Sequence, residues 1–237
     1  MNTVVADITY RALLGRRRLL LLVLLPLSLL GLAVLVRLIG VGEQGTVSLM
    51  QTFAIGTMLP LLGLIAGTGV ITPEIDDGTI LHLLAKPIPR PVIVYTKFAV
   101  AASVVALFGA VPTFLAAYLL VQGEAGLATG FALGALAGGI AYVALFLLLG
   151  VLTRHAVTIG ITYALVWEGL VGGFVPGARR YSIQQWAQSV ADQISTSAFL
   201  KADVAVGFAV PALAVVTVVA VVWAGQRLRS LSLTGDE

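Results

Sequence analysis

No cysteine occurs anywhere in this chain, which removes disulfides and thiolate metal sites and leaves the redox compartment undetermined. Histidine is nearly as scarce, since His82 and His155 are the only two, too few for a haem or zinc site. Charge is the third shortage. Only 11% of the 237 residues are Asp, Glu, Lys or Arg, against ~25% in an ordinary soluble domain. The lysines, Lys86, Lys97 and Lys201, have none of the glycine context of a G-x-x-x-x-G-K-[ST] phosphate loop, so no nucleotide site is expected on this chain. Nor does any Ser/His pair, H-E-x-x-H or paired-acid constellation lie in its apolar runs, which argues against a membrane enzyme.

What fills the sequence instead is hydrocarbon, at 59% hydrophobic residues. A helix crosses the ~30 Å apolar layer with ~20 residues at ~1.5 Å each. Six runs qualify: 19–39, 47–71, 92–121, 127–152, 157–175 and 206–225. They predict an all-α integral membrane fold with six transmembrane helices in one domain. The third run is overlong and is expected to tilt or to begin along the membrane surface. The first follows Arg16, Arg17 and Arg18 as a signal peptide would, but its length and the lack of a small-residue cleavage site mark it as a retained span.

Lys and Arg near helix ends stay on the cytoplasmic side. Six crossings put both termini together, with Arg11, Arg16, Arg17, Arg18, Lys86, Arg90, Lys97, Arg154, Arg227 and Arg229 on their side and Arg37, Arg179, Arg180 and Lys201 opposite. Both ends are therefore expected in the cytoplasm of an inner-membrane, multi-pass protein. The net charge of +3 reports this topology and gives no reason to invoke nucleic acid.

The segments between spans carry further signals. In residues 1–18, Val4, Val5, Ile8 and Ala12 share a helical face and Asp7 and Arg11 stand four apart, which suits an interfacial helix among membrane lipids. Its basic end would meet anionic headgroups, each cation contributing ~1 kcal/mol. The outer linkers 40–46 and 122–126 are short and demand antiparallel neighbours. The outer segment 176–205 is longer and contains an amphipathic stretch with Ile183, Trp186, Val190 and Ile194 at helical spacing and Gln184, Gln188, Asp192 and Gln193 opposite. Ser182 and Gln185 match a capping box, so a helix is expected from Ile183, at the outer surface or dipping partway in, with Trp186 at interfacial depth. Gly130, Gly134 and Gly138 in the fourth span, and Gly63 and Gly67 in the second, form small-residue ridges that mark packing faces. Their partner, in this chain or in a second copy, is left open by the sequence.

The stretch EIDDGTILHLLAKPIPR, inside the cytoplasmic loop 72–91, is where charge, glycine and proline crowd together. Thr72 suits a cap, Pro73 a first helical position, and Glu74, Asp76 and Asp77 the positive end of a helix. After Gly78, Thr79 to Lys86 reads as a short helix with Ile80, Leu81, Leu83 and Leu84 apolar, stopped by Pro87 and Pro89. Such a rod suits docking in a partner's groove. Three acids in four positions serve more readily as solvated caps than as a cation site.

Glu74, Gly78-Thr79-Ile80, Leu83-Leu84, Lys86-Pro87-Ile88, Arg90, Ile93 and Lys97 together resemble the E-x-x-x-G-T-[LI]-x-x-L-L-x-x-P-[IV]-x-R stretch that follows the second span of ABC-2-type transporter permeases. The stretch WEGLVGGFVPGARRYS, Trp167 to Ser182, is similar to the end of the fifth span in bacterial members. The resemblance implies a coupling helix seated on a separate ATP-binding cassette subunit, with Glu74, Gly78, Thr79, Leu84, Pro87 and Arg90 at that interface and none of them catalytic. It also implies that ATP and Mg are bound by that partner, and that a second permease, identical or homologous, completes an exporter.

Glu168 stands near the middle of the fifth apolar run, where an ionised acid costs at least ~2.5–3.5 kcal/mol unless bonded or wetted. It is read either as a pathway-lining or gating acid or as a helix-to-helix hydrogen bond, with Gln51, Thr52, Thr57 and Tyr163 as candidate partners. Two other functions remain as alternatives: a secondary transporter using Glu168 as a proton site, and a scaffold that moves nothing. Against the former, the chain is short and shows no internally repeated halves.

Overall fold

The computed structural model describes residues 3–72, 74, 90–121, 125–171, 177–195 and 197–230, and among them it is helical without a strand. Helix α1 (Thr3–Leu13) leads at once into α2 (Arg16–Ile39). The end of α2 is closed by Gly40 at φ 74°, with Gly40 N–H on Arg37 O and Val41 N–H on Val36 O. This left-handed close favours glycine, which has no Cβ to clash.

The next two long helices each contain a widened turn. Helix α3 runs as α-helix over Glu43–Leu49, as π-helix over Met50–Met58 and again as α-helix over Leu59–Gly69. Helix α4 repeats the pattern with Arg90–Val105, a π turn Ala106–Ala110 and Val111–Leu120. In both, a proline stands just after the π turn, Pro60 and Pro112 respectively. Proline offers no N–H and its ring crowds the carbonyl one turn back, so a wider turn before it relieves the clash. Pro26 and Pro211, by contrast, sit inside ordinary helix.

Helix α5 is Ala125–Leu152, and α6 is Ala156–Thr162, continuing as a π stretch Tyr163–Val171. A 3-10 turn at Ala178–Tyr181 precedes α7 (Ile183–Ile194), and α8 (Val206–Ser230) closes the described chain. Among the described residues, five helices are long and apolar enough to cross a membrane: Arg18–Ile39, Glu43–Gly69, Pro91–Leu120, Ala125–Leu152 and Val206–Leu228. The fifth expected run, 157–175, coincides with the shorter apolar helix Ala156–Gly169, and its last residues fall outside those described.

Helix α5 is the hub, packed on the Leu59–Gly69 half of α3, on α7 and on α8. Its glycines explain how. A Cβ on Gly63 or Gly67 of α3 would lie 2.6 Å from Tyr142 Cβ or 2.8 Å from Val143 O of α5. The second ridge takes a different partner: at Gly130 and Gly134 a Cβ would meet Ala191 O at 2.6 Å and Ala187 O at 2.4 Å, and at Gly138 it would meet Ala187 Cβ at 2.8 Å. Both ridges are thus used within the chain, and the second seats the amphipathic helix α7 backbone against backbone. Pairing Ala191 with Gly130 and Ala187 with Gly138 makes α7 antiparallel to α5, with its N-terminus as its deepest point along that helix.

Helix α1 packs through part of the expected face only. It buries Val5, Thr9 and Leu13 while Ile8 stays 47% exposed. Tyr10 and Ser103 of α4 share a 2.6 Å hydrogen bond, and the Asp7–Arg11 pair forms at 3.0 Å on the exposed side.

Candidate functional site

Two polar constellations stand out in this apolar bundle, one at each end. The one called inner, at the end of the bundle where Leu13 meets Gly69 and Gly225 meets Pro91, begins where α3 stops. The last carbonyls of a helix have no partner within it and carry the negative end of its dipole. Arg18 Nη1 donates to Gly69 O at 2.7 Å and Lys97 Nζ donates to Val70 O at 2.6 Å, so two cations from α2 and α4 close the end of α3. Lys97 was counted among the cytoplasmic flanking charges, yet its side chain is only 1% exposed. Burial of an ammonium demands a counter-charge, and Glu74 Oε1 supplies it at 2.6 Å.

Glu74, the first acid of the loop, is therefore bound to α4 of its own chain. Arg90 is the first residue of α4. Gly78, Thr79, Leu84 and Pro87, with the expected short helix around them, lie outside the described residues. Thr72, expected to cap, is instead helical, and its buried hydroxyl makes no hydrogen bond among the described residues.

The outer constellation centres on Glu168, which is 3% exposed. Tyr163 Oη donates to its Oε1 at 2.9 Å, the Ile183 backbone N–H donates to the same oxygen at 3.0 Å, and Ser182 Oγ donates to Oε2. Three donors and an acceptor-only partner match each other. The first N–H groups of a helix are unpaired and carry its positive end, so a carboxylate from α6 closes the buried start of α7. Ser182 plays its expected part, accepting from Gln185 N–H at 3.2 Å. The reciprocal half of the capping box is absent, because Ser182 N–H goes to Arg179 O. Tyr142 of α5 also faces Glu168 and the Gln184 backbone, although its fully buried hydroxyl reaches no hydrogen bond of good geometry.

Of the partners expected for Glu168, only Tyr163 bonds to it. Gln51, Thr52 and Thr57 instead share with it a cavity of about 320 Å³, which Gln184, Gln185 and Gln188 of α7 also line. Ser182 and the Ile183 N–H were missed as partners, yet the signal existed: an acid fourteen residues before a capping serine, in a segment with few places for a carboxylate to go. Trp186 is 6% exposed, donates to Arg180 O at 2.8 Å and meets Phe208 edge-on at 6.4 Å, so it is a core residue of α7.

One clasp uses cations on a helix C-terminus, the other an anion on a helix N-terminus, and together they tie α2, α3, α4, α6 and α7 within a membrane-spanning chain. Residues 10–223 match the family described as ABC-2 family transporter protein, from within α1 to within α8. No curated protein matches the chain. With several membrane-spanning helices and a family match over most of its length, the chain belongs to the ABC-2 transporter family and is a multi-pass membrane transport subunit.

Proposed function

We propose that this chain is the permease subunit of an ATP-driven exporter, with six spans and both termini in the cytoplasm. Its loop 72–91 docks on a separate ATP-binding cassette subunit, which holds ATP and Mg, and a second permease copy or homologue completes the pathway. The observation that carries this reading is the Lys97 clasp. A force on the loop enters through Glu74 and passes directly into α4 and into the end of α3, which Arg18 ties to α2. Without such a tie, movement of the loop would be lost in slack chain.

In this scheme Gly78, Thr79, Leu84, Pro87 and Arg90 meet the partner, and Glu74 anchors the loop they stand on. Glu168 is assigned as a structural acceptor. The proton-exchange alternative needs a carboxylate free to bind and release, and three donors hold this one.

The test is co-purification of the tagged full-length chain with an ATPase identified by its phosphate-loop sequence. Replacing residues 75–89 with Gly/Ser is expected to abolish recovery. Lys97→Met is expected to keep the partner but to uncouple its ATP hydrolysis from transport. Undiminished recovery with the Gly/Ser loop would overturn the proposal.

A further inference from the structure

The cavity beside Glu168 combines features that a packing defect would not. Its walls come from the two π-helical stretches, Met50–Met58 and Tyr163–Val171, and from α7. Widened turns of this kind recur at functional sites. Apart from Glu168, its polar side chains are amides and hydroxyls: Gln51, Thr52 and Thr57 from α3, and Gln184, Gln185 and Gln188 from α7. Among the described residues, the side-chain amides of Gln51 and Gln185 make no hydrogen bond, while the Gln188 amide reaches Gln51 O only at 3.4 Å. Thr57 Oγ1 is already committed to Thr52 O at 3.0 Å. At about 320 Å³ the cavity holds about ten waters at ~30 Å³ each.

Charge narrows what such a cavity accepts. No Lys or Arg lines it, and Glu168 does, so a phosphate or carboxylate would find repulsion and no counter-charge. For a direct ion pair a cation finds about one lone-pair site left on Glu168, whose oxygens already accept three hydrogen bonds. Glutamine amides donate and accept alike, which suits a group bearing several hydroxyls. We infer that this cavity binds an uncharged polyhydroxyl group of sugar size, the polar part of what the subunit transports. The assignment to transported cargo rests on the exporter reading; the binding chemistry does not.

The experiment uses the full chain in lipid nanodiscs containing glucosyl-diacylglycerol and phosphatidylglycerol in equal amounts, with bound lipid counted by native mass spectrometry and no ATP or partner present. The wild type is expected to retain the glucosyl lipid about tenfold over phosphatidylglycerol. Gln51→Leu with Gln185→Leu should abolish that preference. Thr52→Trp, which fills the cavity from an exposed position, should do the same without disturbing the core. Equilibrium dialysis with radiolabelled glucose is the second arm: binding that Thr52→Trp removes, without glucosyl-lipid retention, assigns the site to a free sugar. Equal retention of both lipids with no glucose binding, or a preference that survives Thr52→Trp, overturns the inference. Loss of ATPase co-purification would leave these results untouched, so the two proposals fail separately.

Discussion

The inner and outer clasps solve opposite problems with opposite charges. At the inner end, Arg18 and Lys97 cover the carbonyls of Gly69 and Val70, and Glu74 then balances the buried ammonium. At the outer end, Glu168 alone covers the Ile183 N–H, and hydroxyls of Tyr163 and Ser182 complete its shell. The inner clasp is an ion pair whose acid remains 23% exposed; the outer one is a buried carboxylate among neutral donors. The inner clasp can therefore open toward water, whereas the outer clasp holds a fixed wall.

The largest effect should come from lifting that wall off its bed. Gly134→Val places side-chain atoms where a Cβ already lies 2.4 Å from Ala187 O, and a loss of about 3 kcal/mol or more is expected from overpacking. Thermal melting in detergent and protease cleavage within α7 would register it; an unchanged melting curve would mean that α7 does not rest on the ridge. Next comes Glu168→Ala, which strands a buried backbone N–H and two hydroxyls and should cost about 3 kcal/mol, with Glu168→Gln nearer 1 because one oxygen still accepts. Should the two substitutions melt alike with a small loss, the oxygen that glutamine retains contributes nothing and the outer clasp is weaker than its geometry implies.

Lys97→Met should cost about 2 kcal/mol, less than a fully buried pair would, since Glu74 can turn to water. Adding Glu74→Gln should recover part of that loss, and additive losses in the double-mutant cycle would show that the two side chains do not interact. Arg18→Gln is expected to be the mildest, at about 1 kcal/mol, because a neutral amide can still donate to Gly69 O. Equal effects of Arg18→Gln and Glu168→Ala would erase the contrast between the two ends.

Helices and their polarity were legible in the sequence because burial in hydrocarbon leaves a long-range compositional trace. Ser182 as a cap, Asp7 with Arg11, and Tyr163 with Glu168 were legible because each is local, within five residues along the chain. The partners of Lys97 were not legible for a physical reason: a lysine near the start of a span looks the same whether it reaches outward to water or inward to a carbonyl, and Val70 and Glu74 lie more than twenty residues away along the chain. The ridge at Gly130, Gly134 and Gly138 announced a close neighbour without naming it, since small residues record distance and not identity. The π turns were the least visible. Pro60 and Pro112 mark two of them, but Pro26 and Pro211 show that a proline alone does not decide the turn.

The glycine bed under α7 also restricts how relatives of this chain can diversify. Where backbone touches backbone, no larger residue can be admitted at Gly130 or Gly134 without evicting the helix above, so the floor of the outer region is frozen by sterics. If the cavity takes cargo as proposed, new preferences would have to arise from the amide-bearing positions 51, 184, 185 and 188, which can change chemistry while the scaffold beneath them stays still.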